Sequence, residues 1–405
     1  MTGMETYINF SLIDVIGKCR IDNSYMTVED GLIKDVGRMT DLTPERMHDA
    51  VDLRGKTVMP GMFNTHIHAL SSPIAAPESL NGESSGMFAL RGMRHLQQHL
   101  ASGVTFVRDM NGRKLAEVDL KNALKLGLFE GPNLHIARQC LCMTGGHGCN
   151  TGRECDGPED CRKAAREQIK GGADFVKIMA TGGVNSDTRP EYSQLDLEEM
   201  KAAITEAHRA GKKTATHAHG KAGIKTAVLA GIDSVEHGSY IDDECIDLML
   251  ERGTALCPTL STHYFTEKFG IAAGIAPWKV EKSKRAAEAQ HVGLEKAWKA
   301  GIPITVGTDA GTPYNPHWGT YMEFVLFVED MGFDPMETLI SGTIRSAKVC
   351  GVDDWTGSIT PGKHANFIVL GEDPLQNIRT LGSVEQVYKD GRLVTLPPVD
   401  RSKTD

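Results

Sequence analysis

The chain has no stretch of about 20 apolar residues, so no membrane-spanning helix is expected. Its start, MTGMETYINFSLIDVIGKCR, lacks a basic segment followed by an apolar run, so no signal peptide is expected either. No basic tract stands out and the net charge is -9, which argues against a nucleic-acid partner. Nine cysteines in 405 residues are too few, and odd in number, for a disulfide scaffold. Together these absences point to a cytoplasmic protein with reduced thiols. What remains is ordinary globular material, 40% hydrophobic and 24% charged, long enough for a barrel-sized domain and a smaller companion. The fifteen histidines stand out, because many fall where strands should end.

Both ends of the chain read as short strands and turns. Met26–Gly37 holds two extended runs joined at Asp30-Gly31, and Val384–Val394 holds two more joined at Asp390-Gly391. The ends, 1–58 and 350–405, are expected to pair into one small β-sandwich domain. Between them, over 59–349, apolar strand-like runs alternate with helical segments. Eight strands are expected, at 58–65, 103–109, 133–139, 173–179, 212–218, 232–237, 254–260 and 302–308. Glycine precedes several of them, as at Gly231, Gly253 and Gly301, which suits a helix C-cap before a short loop. Asp196 with Glu199 reads as a capping box at a helix start. Eightfold strand–helix alternation is what a (β/α)8 TIM barrel requires, and such barrels do their chemistry at the C-terminal strand ends.

Those ends carry an unusual set of residues. The first strand ends in His66 and His68, whose side chains point the same way because strand side chains alternate. The fourth carries Lys177 among apolar residues. The fifth ends in His217-Ala-His219, the sixth in His237 and the eighth in Asp309. Imidazoles on one face suit zinc and its neighbours. Each residue alone could be a cap or a hydrogen-bonded core group; five strand ends together point to a metal site. A lysine buried in a parallel strand is costly when charged, so burial favours the neutral amine. Such an amine beside two cations can add carbon dioxide to become a bridging carbamate. A salt bridge to a neighbouring carboxylate is the alternative.

The motifs PGMFNTHIH, FVKIM, THAHG, SVEHGS and VGTDAG, in that order, resemble the amidohydrolase superfamily, and nearly the whole chain is covered. With MTGGHG at 143–148 and TGGV at 181–184, the chain looks most like its prolidase-like, imidazolonepropionase-related dipeptidase branch. The resemblance implies two divalent cations, with zinc the expected metal. It puts His66, His68 and Asp309 on the more buried ion and His217 and His237 on the more exposed one, with N6-carboxylated Lys177 between them. His219 is the near alternative to His217 and is otherwise assigned to the substrate. The activity implied is hydrolysis of Xaa-Pro or Xaa-Arg/Lys dipeptides, or of N-acyl amino acids. Asp309 would take the proton of the attacking water and pass it to the leaving amine. A cyclic-amide hydrolase or deaminase of imidazolonepropionase type is the alternative, and Lys177 argues against it.

For the substrate, His147 in its Gly-Gly-His-Gly segment is expected to reach the reacting carbonyl or hold a carboxylate. Tyr240 and Arg189 are candidate carboxylate partners. His263 and Tyr264 are candidates for the rim. Cys140, Cys142, Cys149, Cys155 and Cys161 are spaced poorly for a structural zinc site and read as free thiols in a substrate loop. Relatives of this kind often assemble, so a homo-oligomer is expected, with a small-molecule substrate as the partner.

Overall fold

A computed structural model describes residues 4–401. The chain opens with β1 (Glu5–Asp14), β2 (Cys19–Glu29), β3 (Leu32–Arg38), β4 (Val51–Asp52) and β5 (Thr57–Pro60). It continues through β6 (Met62–Ile67), β7 (Val104–Asp109), β8 (Asn133–Ile136), β9 (Leu141–Cys142), β10 (Arg153–Glu154), β11 (Phe175–Met179), β12 (Lys213–Ala218), β13 (Ser234–His237) and β14 (Ala255–Cys257). It closes with β15 (Phe367–Leu370), β16 (Val384–Lys389) and β17 (Arg392–Leu393).

The two ends do meet. Their strands form one sheet in the order β17-β16-β15-β5-β1-β2-β3, with β4 also on β1. The sandwich expected from these ends is thus, by hydrogen bonding, a single continuous sheet. Register slips after Tyr7 and Phe10 let the long β1 hold β2 along one edge and β4 and β5 along the other. Its core includes Tyr7, Phe367 and Tyr388, whose rings lie 4.3–5.3 Å apart. Both Asp-Gly turns form as expected. Asp30 and Asp390 have φ of 53° and 50°, and the glycines after them are also positive, which is the twist a two-residue hairpin needs.

The run expected as one strand at 58–65 is divided. Thr57–Pro60 belongs to the terminal sheet, while Met62–Ile67 pairs in parallel with β7. Gly61 is the hinge, because a Cβ there would lie 2.3 Å from the Thr105 side chain. The middle of the chain is an α/β fold. Parallel strands β6-β7-β8 form one sheet and β10-β9-β11-β12-β13-β14 another. Helices follow the strands, among them Ser85–Ala101, Leu197–Arg209 with its Asp196–Glu199 capping box, and Pro277–Ala300. The sheets are linked where Asp174 N donates to Ile136 O at 2.8 Å.

The expected eighth strand, 302–308, is not a regular strand. Pro303 has no N–H to give, and the segment joins its neighbours through single bridges: Ile304 to Leu256 and Ala310 to Ile67. Thr65 N donates to Val306 O, and both Thr308 N and Asp309 N reach His66 O, which crowds two residues against one. No helix among the described residues is long and apolar enough to cross a membrane.

Candidate metal centre

Pairing register explains how the site assembles. Lys177 lies opposite Ala215, and Met179 opposite His217, so Lys177 and His217 share a face. His217 in turn lies opposite Glu236. Alternation should then turn His237 away from that face. Its φ of 73° breaks the alternation and swings the ring back toward His217, 4.7 Å away between ring centres. Asp309 also has a left-handed φ, 58°. Strained backbone at these two residues, each proposed to hold a metal, is the kind found at functional sites.

Two groups of donors result. His66, His68 and Asp309 form one, with the Nε2 atoms of His66 and His68 at 3.3 and 3.0 Å from Asp309 Oδ1. His217, His219 and His237 form the other, their rings 4.7 Å apart. The groups adjoin, since the rings of His66 and His237 lie 5.0 Å apart.

Each buried imidazole is held by its far nitrogen. His66 Nδ1 lies 2.9 Å from Glu236 Oε2, His219 Nδ1 2.8 Å from Ser239 Oγ, and His237 Nδ1 2.8 Å from Thr259 Oγ1. His217 Nε2 lies 3.0 Å from Gly182 O, leaving Nδ1 to face the group. Tethers of this sort fix ring orientation and tautomer in metal sites. Glu236 is itself buried and bonded to Arg108 Nη2 at 2.8 Å. Burial would raise its carboxyl pKa; the Arg108 guanidinium and His66 overcome this and hold it ionised below the usual range. The composition of the strands hints at this pair, since Arg108 and Glu236 are charges inside buried runs, but the sequence reading above missed both.

Lys177 is 1% exposed, and its Nζ has no hydrogen-bond partner among the described residues. Burial lowers its pKa to about 8. The salt bridge considered as its alternative role is absent there. Lys177 lines the same cavity as both donor groups. Burial likewise keeps His217, His219 and His237 neutral, as metal ligation requires. The donor set, the tethers and an amine without a partner in the same cavity fit a divalent-cation centre.

The amidohydrolase family model matches residues 57–394. This chain belongs to the amidohydrolase family. A curated relative, ochratoxinase of Aspergillus niger, is 30% identical over 93% of this chain and 84% of its own length. Imidazolonepropionase of Clostridium tetani is 26% identical over 92% of this chain and 91% of its own. Among solved structures, a Xaa-Pro dipeptidase with methionine in its active site superposes with a TM-score of 0.90 at 30% identity, over 97% of this chain and all of that one.

Around the donor groups this amidohydrolase has a cavity lined by His147, Ser186, Thr262 and His263, among others. His147 is brought in as expected: its ring centre lies 4.2 Å from that of His217, and Nδ1 lies 2.9 Å from Ser186 Oγ. Burial lowers its pKa to about 4. His219, assigned above to the substrate, belongs to the second donor group, its ring as close to that of His237 as the His217 ring is. Two other residues expected at the substrate are not brought to the cavity lining. Arg189 is exposed and turned onto Tyr192, its Nη1 3.0 Å from the phenol oxygen. Tyr240 is partly buried but not among the residues lining the cavity. Neither residue's backbone periodicity could have shown this, because both sit in irregular loops. His263 does line the cavity, while Tyr264 does not. The helix carrying them starts on Glu323, whose carboxylate accepts from Leu260 N and Ser261 N at 2.7 and 2.8 Å. All nine cysteines are free, and the buried Cys155 and Cys161 sulfurs lie 3.3 Å apart.

Proposed function

We propose that this amidohydrolase uses two divalent cations, zinc being the one that imidazole donors suit, to cleave the amide bond of a dipeptide of Xaa-Pro or Xaa-Arg/Lys type or of an N-acyl amino acid. The observation that carries the reading is the buried amine of Lys177, without a partner among the described residues, in the cavity that both donor groups line. A neutral amine there can add carbon dioxide, losing one proton and becoming a carbamate whose two oxygens suit two cations. His66, His68 and Asp309 would hold one ion and His217 and His237 the other, with His219 beside them. Within this reading the two parallel sheets and the 303–310 segment make one (β/α)8 barrel over 59–349. Residues 1–58 and 350–405 make its small β-domain. A cytoplasmic homo-oligomer remains part of the same proposal.

When bound, such ions supply an activated water and polarise the amide carbonyl. The chain's own residues do the rest. Asp309 is held ionised by the His66 and His68 imidazoles, against the upward push of burial. Its carboxylate takes the water's proton and returns it to the leaving amine, acting as base and then acid. His147, neutral and anchored on Ser186, faces the substrate carbonyl with its free nitrogen. His147, Gly148, Asn150, Thr151 and 184–186 wall the cavity around these groups.

A dipeptide library offered to zinc-loaded protein, read as free amino acid released, tests this. Release confined to one C-terminal class names the substrate. Silence across the library, with turnover of a cyclic amide instead, overturns the reading in favour of the imidazolonepropionase-type alternative.

A further inference from the structure

The cavity mouth holds an ion pair that the hydrolytic chemistry does not use. Lys279 Nζ lies 2.7 Å from Glu78 Oε1. The two partners are unlike: the Lys279 side chain is 5% exposed, that of Glu78 57%. They come from opposite sides of the opening. Glu78 lies on the short turn Pro77–Leu80 beyond the first His-x-His, and Lys279 on the first turn of helix Pro277–Ala300. Both line the same cavity as the donor groups, and so does Arg113, whose Nη1 donates to Asn81 in the Glu78 turn. Lys279 binds the Glu78 carboxylate, and Arg113 holds the same turn through Asn81.

A second observation points the same way. His263 lines the cavity, is 4% exposed, and its Nε2 has no partner among the described residues. Its Nδ1 lies 2.9 Å from Ser283 Oγ. Ser283 is four residues after Lys279, so both sit on one face of the same helix. With the Ser283 hydroxyl donating to Nδ1, Nε2 carries the proton and is a buried donor without a partner among the described residues, on a residue that lines the cavity. The helix start is also strapped to the other wall, where Lys282 Nζ donates to Ser186 O and Thr188 O at 2.7 and 2.9 Å. Lys279 is thus fixed in place, while its partner Glu78 is half in solvent and free to leave.

We propose that Lys279, with His263 beside it, is the subsite for a carboxylate on the substrate, and that Glu78 occupies it as an internal competitor until substrate arrives. A buried ammonium has two further donors beyond the one given to Glu78, and an incoming carboxylate replaces one anion with another at little cost in desolvation. Specificity for a substrate bearing a free carboxylate follows, and neutral amides are left facing an occupied lysine. This rests on the hydrolase reading above only for the identity of the site, not for the binding itself.

The two substitutions have opposite signs. Binding of N-acetyl-L-methionine and of N-acetyl-L-methioninamide to metal-loaded protein is measured by calorimetry, with methionine release followed in parallel. The wild type should prefer the acid over the amide by roughly tenfold or more. Lys279→Met should bring that ratio near one, and Glu78→Gln, an exposed change that leaves the fold intact, should raise it several-fold. An unchanged ratio in both variants, a fall in Glu78→Gln, or no binding of either probe to the wild type overturns the proposal. A ratio that responds as expected without methionine release upholds the subsite while counting against hydrolysis of this amide.

Discussion

Lys177 and Asp309 make opposite demands on the same few ångströms. An amine that is 1% exposed and unpartnered costs the fold roughly 1–3 kcal/mol. Lys177→Met keeps the bulk and removes the polar atom. In metal-free protein it should therefore raise stability by an amount of that order, read as the midpoint of denaturant unfolding. The same variant, offered zinc, should hold less metal and lose nearly all amide hydrolysis. Gain in one assay with loss in the other marks a residue kept for chemistry; loss in both would show that Lys177 has a structural partner. Asp309→Asn separates the remaining roles. It keeps the shape and an oxygen toward His66 and His68 but cannot carry a proton. Turnover should fall roughly 10²–10⁴-fold with metal content, measured by elemental analysis, largely retained. Near-normal turnover would remove Asp309 from the proton path.

At the scale of elements, the segment 303–310 does the most with the least regularity. It supplies Asp309 and wedges against the His66 strand through Gly307. A Cβ there would lie 2.4 Å from Cys257 Sγ and 2.8 Å from the Cβ and 2.9 Å from the backbone N of His66. Backbone cannot yield as a side chain can, so Gly307→Ala should cost about 1–3 kcal/mol and shift His66 off its tether to Glu236. Weaker zinc affinity with a lowered melting midpoint is the expected result; unchanged affinity would mean that the wedge is slack. This segment also shows where reading a sequence stops. The Asp30-Gly31 and Asp390-Gly391 turns were legible because two adjacent residues set their own φ. His66 and His68 were legible because strand alternation is local. The break at Gly61 was not, since it depends on Thr105, and neither was the irregularity of 303–310, which depends on where His66 O lies. Charge pairs are harder still: Glu78 and Lys279 are 201 residues apart, and nothing near either names the other. Arg189 and Tyr240 lie off the cavity lining for the converse reason, since polar loop residues have many possible partners and Arg189 found Tyr192.

Across the whole molecule, buried neutral histidines tie stability to pH. His95, His99 and His317 form a buried set behind the first His-x-His: His99 Nε2 lies 3.2 Å from His317 Nδ1, and the His95 and His317 rings stack at 3.9 Å. His95 Nδ1 and His317 Nε2 lie 2.8 and 2.9 Å from Ala69 O and Ser71 O, so the set anchors the turn that follows His68. Burial lowers the pKa of His99 to about 3 and holds that of His317 well below 6.5; His263 on the cavity wall is lowered to about 4 by the same cause. An unfolded histidine takes up its proton near 6.5, so between there and pH 3–4 the unfolded chain binds more protons than the folded one. Stability from these groups is therefore complete above about pH 6.5 and is lost as pH falls, each histidine adding at most about 1.4 kcal/mol per pH unit. The carboxylates of Asp309 and Glu236, held below their usual range, push in the same direction at lower pH, while Glu323 and Asp109, raised by burial, oppose it without matching the number of histidines. Metal-free protein should show a melting midpoint that is level from pH 8 to 7 and drops steeply from 6.5 to 4.5. His99→Leu removes one proton-binding group together with a buried Nδ1 that has no partner among the described residues. It should flatten the drop by about one proton while leaving the pH 8 midpoint equal or higher. A wild-type midpoint that holds level down to pH 5, or a variant with an unaltered slope, would mean that water or a neighbouring chain already satisfies the protonated ring.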